Sequence, residues 1–380
     1  MREGAAIGGG LIAVGAMLQL TIGSIDWSLF AFPLNTIQFA VFVLVLGISY
    51  VVRKHSYFIR WSMSYMAAIP AIVYCLLVTL VMGVTGWDDM LSSWPLVLLY
   101  VWMMYVLGLT TIHHLFQRPS LRQFTFLCNH LGLFLALVCG VLGHADMEKL
   151  HMTTRVGNPE WRALDANSNR GQVKELPIAI ELHSFTIDEY PPTYKIIDNE
   201  TGMVIQDSEW TIQQDSLLDY AAIVYGAKDS LGNQDANRYV EWRSMGACTA
   251  GYITATNGTQ TVSGWVTCGS FMFPFQALRL DDRCSAVMPE REPKRYASEV
   301  TVYTEDGQKT NATIEVNRPL EVNGLKIYQL SYDEALGRWS DSSVFEIVRD
   351  PWLPWVYAGI FLMLAGALGM FLIPKNYQKP

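Results

Sequence analysis

The sequence predicts an integral membrane α-helical bundle of about six transmembrane helices with a large extracytoplasmic all-β domain, antiparallel and sandwich-like. Hydrophobic residues make up 51% of the chain and charged residues 16%, which is too apolar for an ordinary soluble protein. Most of the acidic residues fall between the fifth and sixth apolar runs, where strand patterns replace helical ones. The predicted domains are a five-helix membrane domain (1–143), an extracytoplasmic β-rich domain (144–351), and a C-terminal transmembrane helix with a cytoplasmic tail (352–380).

Six apolar runs are long enough to cross a membrane, because a bilayer core of about 30 Å needs about twenty helical residues. The first run lacks the pattern of a cleaved signal peptide, so it is interpreted as a retained anchor. The second run is the shortest. The six runs are Ala5–Ser24, Thr36–Val52, Met63–Val84, Trp94–Ile112, Phe124–Gly143 and Trp355–Ile373.

The orientation follows from basic residues, which are retained on the cytoplasmic side of a membrane. The loops 25–35 and 86–93 contain no Lys or Arg but do contain Asp26, Asp88 and Asp89, so they are predicted to lie outside. Both termini are then cytoplasmic and the large domain is extracytoplasmic. The predicted cytoplasmic basic residues are Arg2, Arg53, Lys54, Arg60, Arg118, Arg122, Lys375 and Lys379.

The large domain carries the signals of antiparallel strands. Apolar residues alternate with smaller or polar neighbours, which is typical of half-buried strands. Asp306-Gly307, Asn323-Gly324 and Asn257-Gly258 lie between such runs, as tight hairpins require. The acidic surface excludes nucleic acid as a partner, because phosphate binding needs clustered Lys and Arg. The alternating residues are Ile178, Ile180 and Leu182, then Val300, Val302, Ile314 and Val316.

His130 is the unusual histidine, because it lies in an apolar membrane run, about 9 Å past Phe124 at 1.5 Å per residue. Ionisable residues at membrane depth are costly and commonly mark a function, and neutral imidazole is a ligand for haem iron. The structural alternative is an interhelical hydrogen bond, for which Asn129 is a second candidate. A stripe of small residues on the same helix predicts close packing against another helix: Gly132, Ala136 and Gly140.

Histidines at the ends of the helices are further candidates. His113 and His114 end the fourth run, where they either guide a porphyrin into the membrane or are interfacial polar residues, and the interfacial interpretation is favoured. His144 and His151 are seven residues apart, so a continued helix would place them on one face. Either is a candidate axial ligand there, although solvated histidines are commoner at such positions.

The six cysteines form two groups: Cys75, Cys128 and Cys139 in predicted membrane helices, and Cys248, Cys268 and Cys284 outside them. The first group is interpreted as packing residues. If Asn257-Gly258 centres a hairpin with a three-residue or bulged loop, Cys248 and Cys268 fall opposite each other. An oxidising compartment would then permit a disulfide and leave Cys284 unpaired. Other pairings, or three free thiols, remain open.

Several enzyme classes are unsupported. The chain has no C-x-x-C redox pair and no C-x-x-C-H haem-attachment motif. It also lacks a phosphate-binding loop, an H-E-x-x-H metal helix and a G-x-S-x-G nucleophile elbow. No catalytic residue is assigned, and whether the chain is an enzyme stays open.

Several segments share one family's pattern. They are Leu176-Pro177 leading to Phe185 and Tyr190, Ser263-Gly264-Trp265-Val266 with Cys268-Gly269, Pro293-Lys294-Arg295-Tyr296, Val316-Asn317-Arg318-Pro319-Leu320, Tyr328-Gln329-Leu330-Ser331-Tyr332, and Asp350-Pro351 entering the last helix. In the membrane part they are Ser92-Ser93-Trp94 and His130-Leu131-Gly132. These segments resemble the ResB-like (CcsB-type) proteins of the system II cytochrome c biogenesis machinery.

The resemblance implies that His130 is an axial ligand to haem on the cytoplasmic side, paired with a histidine of a CcsA-like subunit. It implies haem b bound transiently and non-covalently, apocytochrome c as a further partner, and a location in the bacterial inner (cytoplasmic) membrane. Two features depart from the family. The chain has two more helices before the soluble domain than the family's usual three. It also has no Trp-Trp-Asp, which belongs to the CcsA side.

The hypothesis from sequence is a cytochrome c biogenesis subunit that works with a CcsA-like partner. Together they would bind and export haem and help present it for covalent attachment to apocytochrome c, with this chain as a non-catalytic subunit of the haem lyase. His130 is the proposed iron ligand, and His144 and His113 are secondary haem-binding candidates. The alternative is a noncatalytic membrane-anchored β-domain receptor or assembly factor. A secondary transporter would need broken helices and paired intramembrane carboxylates, and the spans contain neither pattern.

Overall fold

The computed structural model describes residues 2–86, 91–166, 171–225 and 238–372. The chain divides into two compact units, Met1–Glu148 with Arg349–Pro380, and Lys149–Val348. Four residues of the predicted orientation pattern lie outside the described residues: Asp88, Asp89, Lys375 and Lys379.

The described part of the first unit forms seven α-helices. Six of them are long and apolar enough to cross a membrane, as predicted. The exception is a short helix that the sequence did not predict, and Ser56 caps it by accepting a hydrogen bond from Ile59 N at 3.4 Å. The helices are α1 (Arg2–Ile22), α2 (Leu34–Val52), the short α3 (Tyr57–Ser62), α4 (Tyr65–Thr85), α5 (Trp94–Leu115), α6 (Leu121–Leu142) and α7 (Leu353–Leu372).

Helix α5 is the centre of this unit, because it contributes to two apolar cores. Leu99 and Trp102 are buried with residues of α1 and α4, whereas Met104 and Leu109 are buried with residues of α2 and α6. Because lipid is as apolar as these side chains, close van der Waals packing is what holds the helices together here.

Helices α6 and α7 approach each other at glycines. A Cβ on Gly359 would lie 2.6 Å from the backbone N of Ala136, and a Cβ on Gly132 would lie 2.5 Å from Gly359 O. Asn129 Nδ2 donates a hydrogen bond to Met363 O at 3.2 Å. The predicted small-residue stripe is therefore right for Gly132 and Ala136. It is wrong for Gly140, where a Cβ would find no atom of another element within 4 Å.

Residues 148 to 349 form fifteen described strands in three antiparallel sheets. The first sheet has eight strands in the order β12-β11-β3-β2-β1-β15-β14-β13, the second has the order β4-β10-β9, and the third β6-β5-β7-β8. The strands are β1 (Glu148–Arg155), β2 (Glu160–Asp165), β3 (Val173–Glu189), β4 (Lys195–Asp198), β5 (Thr211–Val224), β6 (Arg238–Glu241), β7 (Cys248–Thr256), β8 (Thr261–Gly269), β9 (Leu278–Arg279), β10 (Cys284–Val287), β11 (Pro293–Thr304), β12 (Lys309–Glu315), β13 (Leu320–Val322), β14 (Leu325–Tyr332) and β15 (Ser342–Arg349).

The strands bury two main cores. The eight-stranded sheet curls, so that β12 contacts β13 and β14, and it encloses Ile180, Ile327 and Phe345 completely. The two smaller sheets pack face to face over Ile253 and Met288, which are also fully buried. The predicted antiparallel β domain is confirmed, and its sandwich-like part is the pair of small sheets.

The hairpin turns lie where their sequences predict. Asn323 and Gly324 have φ values of 52° and 74° and join β13 to β14. Gly307 and Gly258 also have positive φ and join β11 to β12 and β7 to β8. The predicted burial of Val316 is wrong: it follows the end of β12 and is 45% exposed.

Candidate functional site

The candidate site is a column of five rings at one end of the membrane unit, here called the ring column: Tyr50, His113, His114, Phe126 and His130. Phe126 and His130 are four residues apart on α6, so they lie on the same face, with ring centroids 3.8 Å apart and planes at 23°. The His114 ring from α5 lies 4.2 Å from Phe126 on centroids. His113 and Tyr50 follow at centroid distances of 5.7 and 6.3 Å.

His130 has the form of imidazole that can bind a metal. Its Nδ1 lies 3.0 Å from the carbonyl O of Phe126, so this nitrogen carries the hydrogen and donates it. The neutral ring then keeps its lone pair on Nε2, which has no hydrogen-bond partner among the described residues. The ring is half-buried. The interhelical bond considered for this position is made by Asn129, whereas the bond of His130 stays within its own helix.

His114 has the opposite tautomer. The amide Nε2 of Gln123 donates to His114 Nδ1 at 2.8 Å and also lies 2.8 Å from the His114 carbonyl O. Since Nδ1 accepts a hydrogen bond, the neutral ring carries its hydrogen on Nε2. His114 can therefore donate a hydrogen bond with Nε2 but offers no lone pair there for a metal.

His113 lies in the column but not beside His130. Two rings, His114 and Phe126, separate the two predicted haem-binding residues. The Nδ1 atom of His113 is buried and has no hydrogen-bond partner within the described chain. The guanidinium of Arg53 covers the Tyr50 ring at 3.7 Å from its centroid, so a fixed positive charge lies at the same end.

His144 is not part of this column. It follows α6, whose end at Leu142 is twelve residues from His130, about 18 Å at 1.5 Å per residue. Its exposed ring contacts Trp27 edge-on at a centroid distance of 5.7 Å. The condition for placing His144 and His151 on one helix face is not met, because α6 ends at Leu142 and His151 belongs to β1, where it pairs with Leu164 of β2.

Sequence reasoning found His113, His114 and His130 but missed Phe126, Gln123 and Tyr50. The spacing of Phe126, four residues before His130, is a signal that was available. Gln123 and Tyr50 reach the histidines only through the packing of different helices. No spacing in the sequence connects Tyr50 of α2 with His113 of α5. Among the described ranges, no group of three or more His, Cys, Asp or Glu side chains is placed to hold a metal ion.

The expected register of Cys248 and Cys268 is wrong. A bulge in the β7–β8 ladder pairs Thr249 with Gly269 and Ala250 with Thr267, which leaves Cys268 between them without a partner. Cys248 pairs with Ala221 of β5, and its Sγ donates to the Ala221 carbonyl O at 3.4 Å. Both cysteines are free thiols in the structure.

A multi-pass helical unit, with a histidine inside one of its long apolar helices, and an antiparallel β unit define the class of a multi-pass membrane protein with a β domain. Residues 247–340 match the ResB-like family. The match confirms the resemblance over this segment, whereas the resembling segments at Ser92, His130 and Leu176 lie outside it. It covers β7 through the residues before β15 and does not include His130. The family suggests a role in cytochrome c biogenesis and membership of a membrane complex. No curated protein matches the chain.

Proposed function

We propose that this protein is a cytochrome c biogenesis subunit whose membrane unit binds haem through His130. It works with a CcsA-like membrane subunit to export haem and to present it to apocytochrome c. The observation that carries the proposal is the free Nε2 of His130, held in the ligating tautomer at membrane depth by its bond to Phe126 O. The ResB-like match of residues 247–340 supports the same pathway.

The residues of the ring column fit a porphyrin. His130 would supply one ligand to the haem iron, and the Phe126 ring stacked on it would contact the bound porphyrin. His114 Nε2–H and the Arg53 guanidinium are suited to bind propionate groups. When bound, the haem supplies the vinyl groups that become joined to cysteine thiols of the apocytochrome.

The column also supports a two-subunit site. The Phe126 ring lies between His114 and His130, so these two histidines do not face each other across an open space. His114 moreover has no lone pair on Nε2. A second axial ligand is therefore best supplied by another chain, as the resemblance to ResB-like proteins implies. His113 then acts near the propionates or at the entry of the site, and His144 has no place in this proposal.

The test is an absorption spectrum of the full-length protein, purified in detergent after co-expression with its CcsA-like partner. We expect a Soret band in the wild type and a strongly reduced band in His130→Ala. The matched control is His55→Ala, since His55 is exposed on the loop after α2 and outside the column. A folded wild-type complex without a Soret band, made with haem in excess, would overturn the proposal. The receptor or assembly-factor alternative would then be preferred.

A further inference from the structure

The β unit contains a cleft of about 320 Å³ that the proposed haem function does not use. Two arginines form its floor, and their side chains are 12% and 16% exposed. Arg291 Nε and Arg338 Nη1 lie 3.4 and 3.7 Å from Glu189 Oε2. Arg291 Nη1 also donates to Asp219 Oδ1 at 2.8 Å, and Arg338 Nη2 donates to the carbonyl O of Asp219 at 2.8 Å.

The charge of this cleft is negative at its rim. The two arginines of the floor are balanced by Glu189 and Asp219, each within an ion pair. Glu290 and Glu334 line the same cleft and are exposed, and neither has an ion-pair partner among the described residues. The rim therefore attracts a cation.

An apolar loop adjoins the cleft. Phe271, Met272 and Phe275 are 52%, 56% and 54% exposed, and Phe271 lines the cleft itself. Ser270 fixes the loop, because its Oγ donates to Gly246 O at 2.5 Å and accepts from Phe273 N at 3.1 Å. A fixed surface of Phe and Met is typical of a protein-binding site.

We propose that the cleft and the apolar loop bind an extended segment of a partner polypeptide that combines Lys or Arg with apolar side chains. The cationic side chain lies between Glu290 and Glu334, and its apolar neighbours cover Phe271 and Phe275. An apolar loop could also insert into a membrane surface, but the acidic rim disfavours contact with anionic lipid. The cleft residues from Cys268 to Trp339 fall within the ResB-like segment. Polypeptide binding here needs no haem, so this proposal and the proposed function fail separately.

The test is fluorescence anisotropy with full-length protein in detergent and a fluorescein-labelled decapeptide of alternating Lys and Phe. We expect saturable binding that weakens as salt is added and is absent for the same peptide with Glu in place of Lys. The double variant Glu290→Gln/Glu334→Gln should bind roughly tenfold more weakly. Its matched control is Glu200→Gln/Glu321→Gln, two exposed carboxylates outside the cleft, which should bind as the wild type does.

Three outcomes would overturn the proposal. The first is no saturable binding of the Lys–Phe peptide. The second is equal weakening in the two double variants, which would assign the effect to net charge. The third is binding in detergent that disappears when the protein is placed in phosphatidylcholine nanodiscs, which would assign the apolar loop to the bilayer surface.

Discussion

Asp146 Oδ2 accepts a hydrogen bond from the indole Nε1 of Trp352 at 2.6 Å, which joins the chain after α6 to the chain before α7. The same carboxylate accepts from Asn35 Nδ2 and from Phe32 N, both at 2.7 Å, so it also holds the start of α2. Burial alone would raise the pKa of Asp146. The hydrogen bonds from Phe32, Trp352 and Asn35 outweigh that effect and lower the pKa below its ordinary value.

We expect Asp146→Asn to lower the stability of the membrane unit by about 1 to 3 kcal/mol, because hydrogen bonds to a charged acceptor are lost. Thermal unfolding in detergent measures the change. Asp26→Asn is the control, since that carboxylate is exposed and caps only the short turn at Ser28. The stabilisation by Asp146 is fully present above the ordinary carboxyl pKa of about 3.9 and is lost as the pH falls through its lowered native value. If the difference in stability between the wild type and Asp146→Asn is the same at pH 7 and below the lowered pKa of Asp146, this assignment is contradicted.

Gly132→Ala should destabilise the contact between α6 and α7 by about 1 to 3 kcal/mol, because the new Cβ would meet the backbone of Gly359 and Met363. The matched control is Gly140→Ala, the same change on the same helix at a position with open space. It should be neutral or slightly stabilising, since Ala favours helix more than Gly does. Equal unfolding temperatures for the two variants would show that α6 and α7 do not pack closely at Gly132.

The thiols of the β unit should be unbridged and slow to react. Burial raises the pKa of Cys248, Cys268 and Cys284, so little reactive thiolate is present near pH 7. Cys268 is the half-buried member of the three and should be alkylated first. The measurement is peptide mapping by mass spectrometry, with N-ethylmaleimide added before unfolding and a second maleimide after it. A peptide that links Cys248 to Cys268 in protein purified without reductant would contradict the prediction.

The membrane part of the fold was largely predictable. The bilayer sets the length of each helix, so hydropathy located all six long helices; the fourth run begins at Trp94 as predicted and continues to Leu115 instead of Ile112. The short helix α3 was missed because its six residues give no apolar run. In the β unit, alternation and Asn-Gly or Asp-Gly turns marked the hairpins, but a single bulge beside Thr249 changed the register of the cysteines.

The candidate site was predicted only in part. His130 was identifiable because an ionisable group within an apolar membrane helix is rare. His113 was identifiable because it and His114 form a pair of histidines at the end of an apolar run. The tautomers were not predictable, because they depend on Gln123 and on the carbonyl of Phe126. Those bonds make His130, and not His114, the candidate iron ligand. The spacing of residues in the sequence does not predict them.

The most direct test of the account is chemical rescue of His130→Gly in the complex with the CcsA-like partner, followed by the Soret band as imidazole is added. Removal of the side chain leaves space for free imidazole to supply the missing nitrogen. We predict a weak band in the variant that imidazole restores toward the wild-type intensity and position, while His113→Gly keeps its band without imidazole. A wild-type Soret band in His130→Gly without imidazole would show that His130 does not bind the haem iron, and would contradict the central claim.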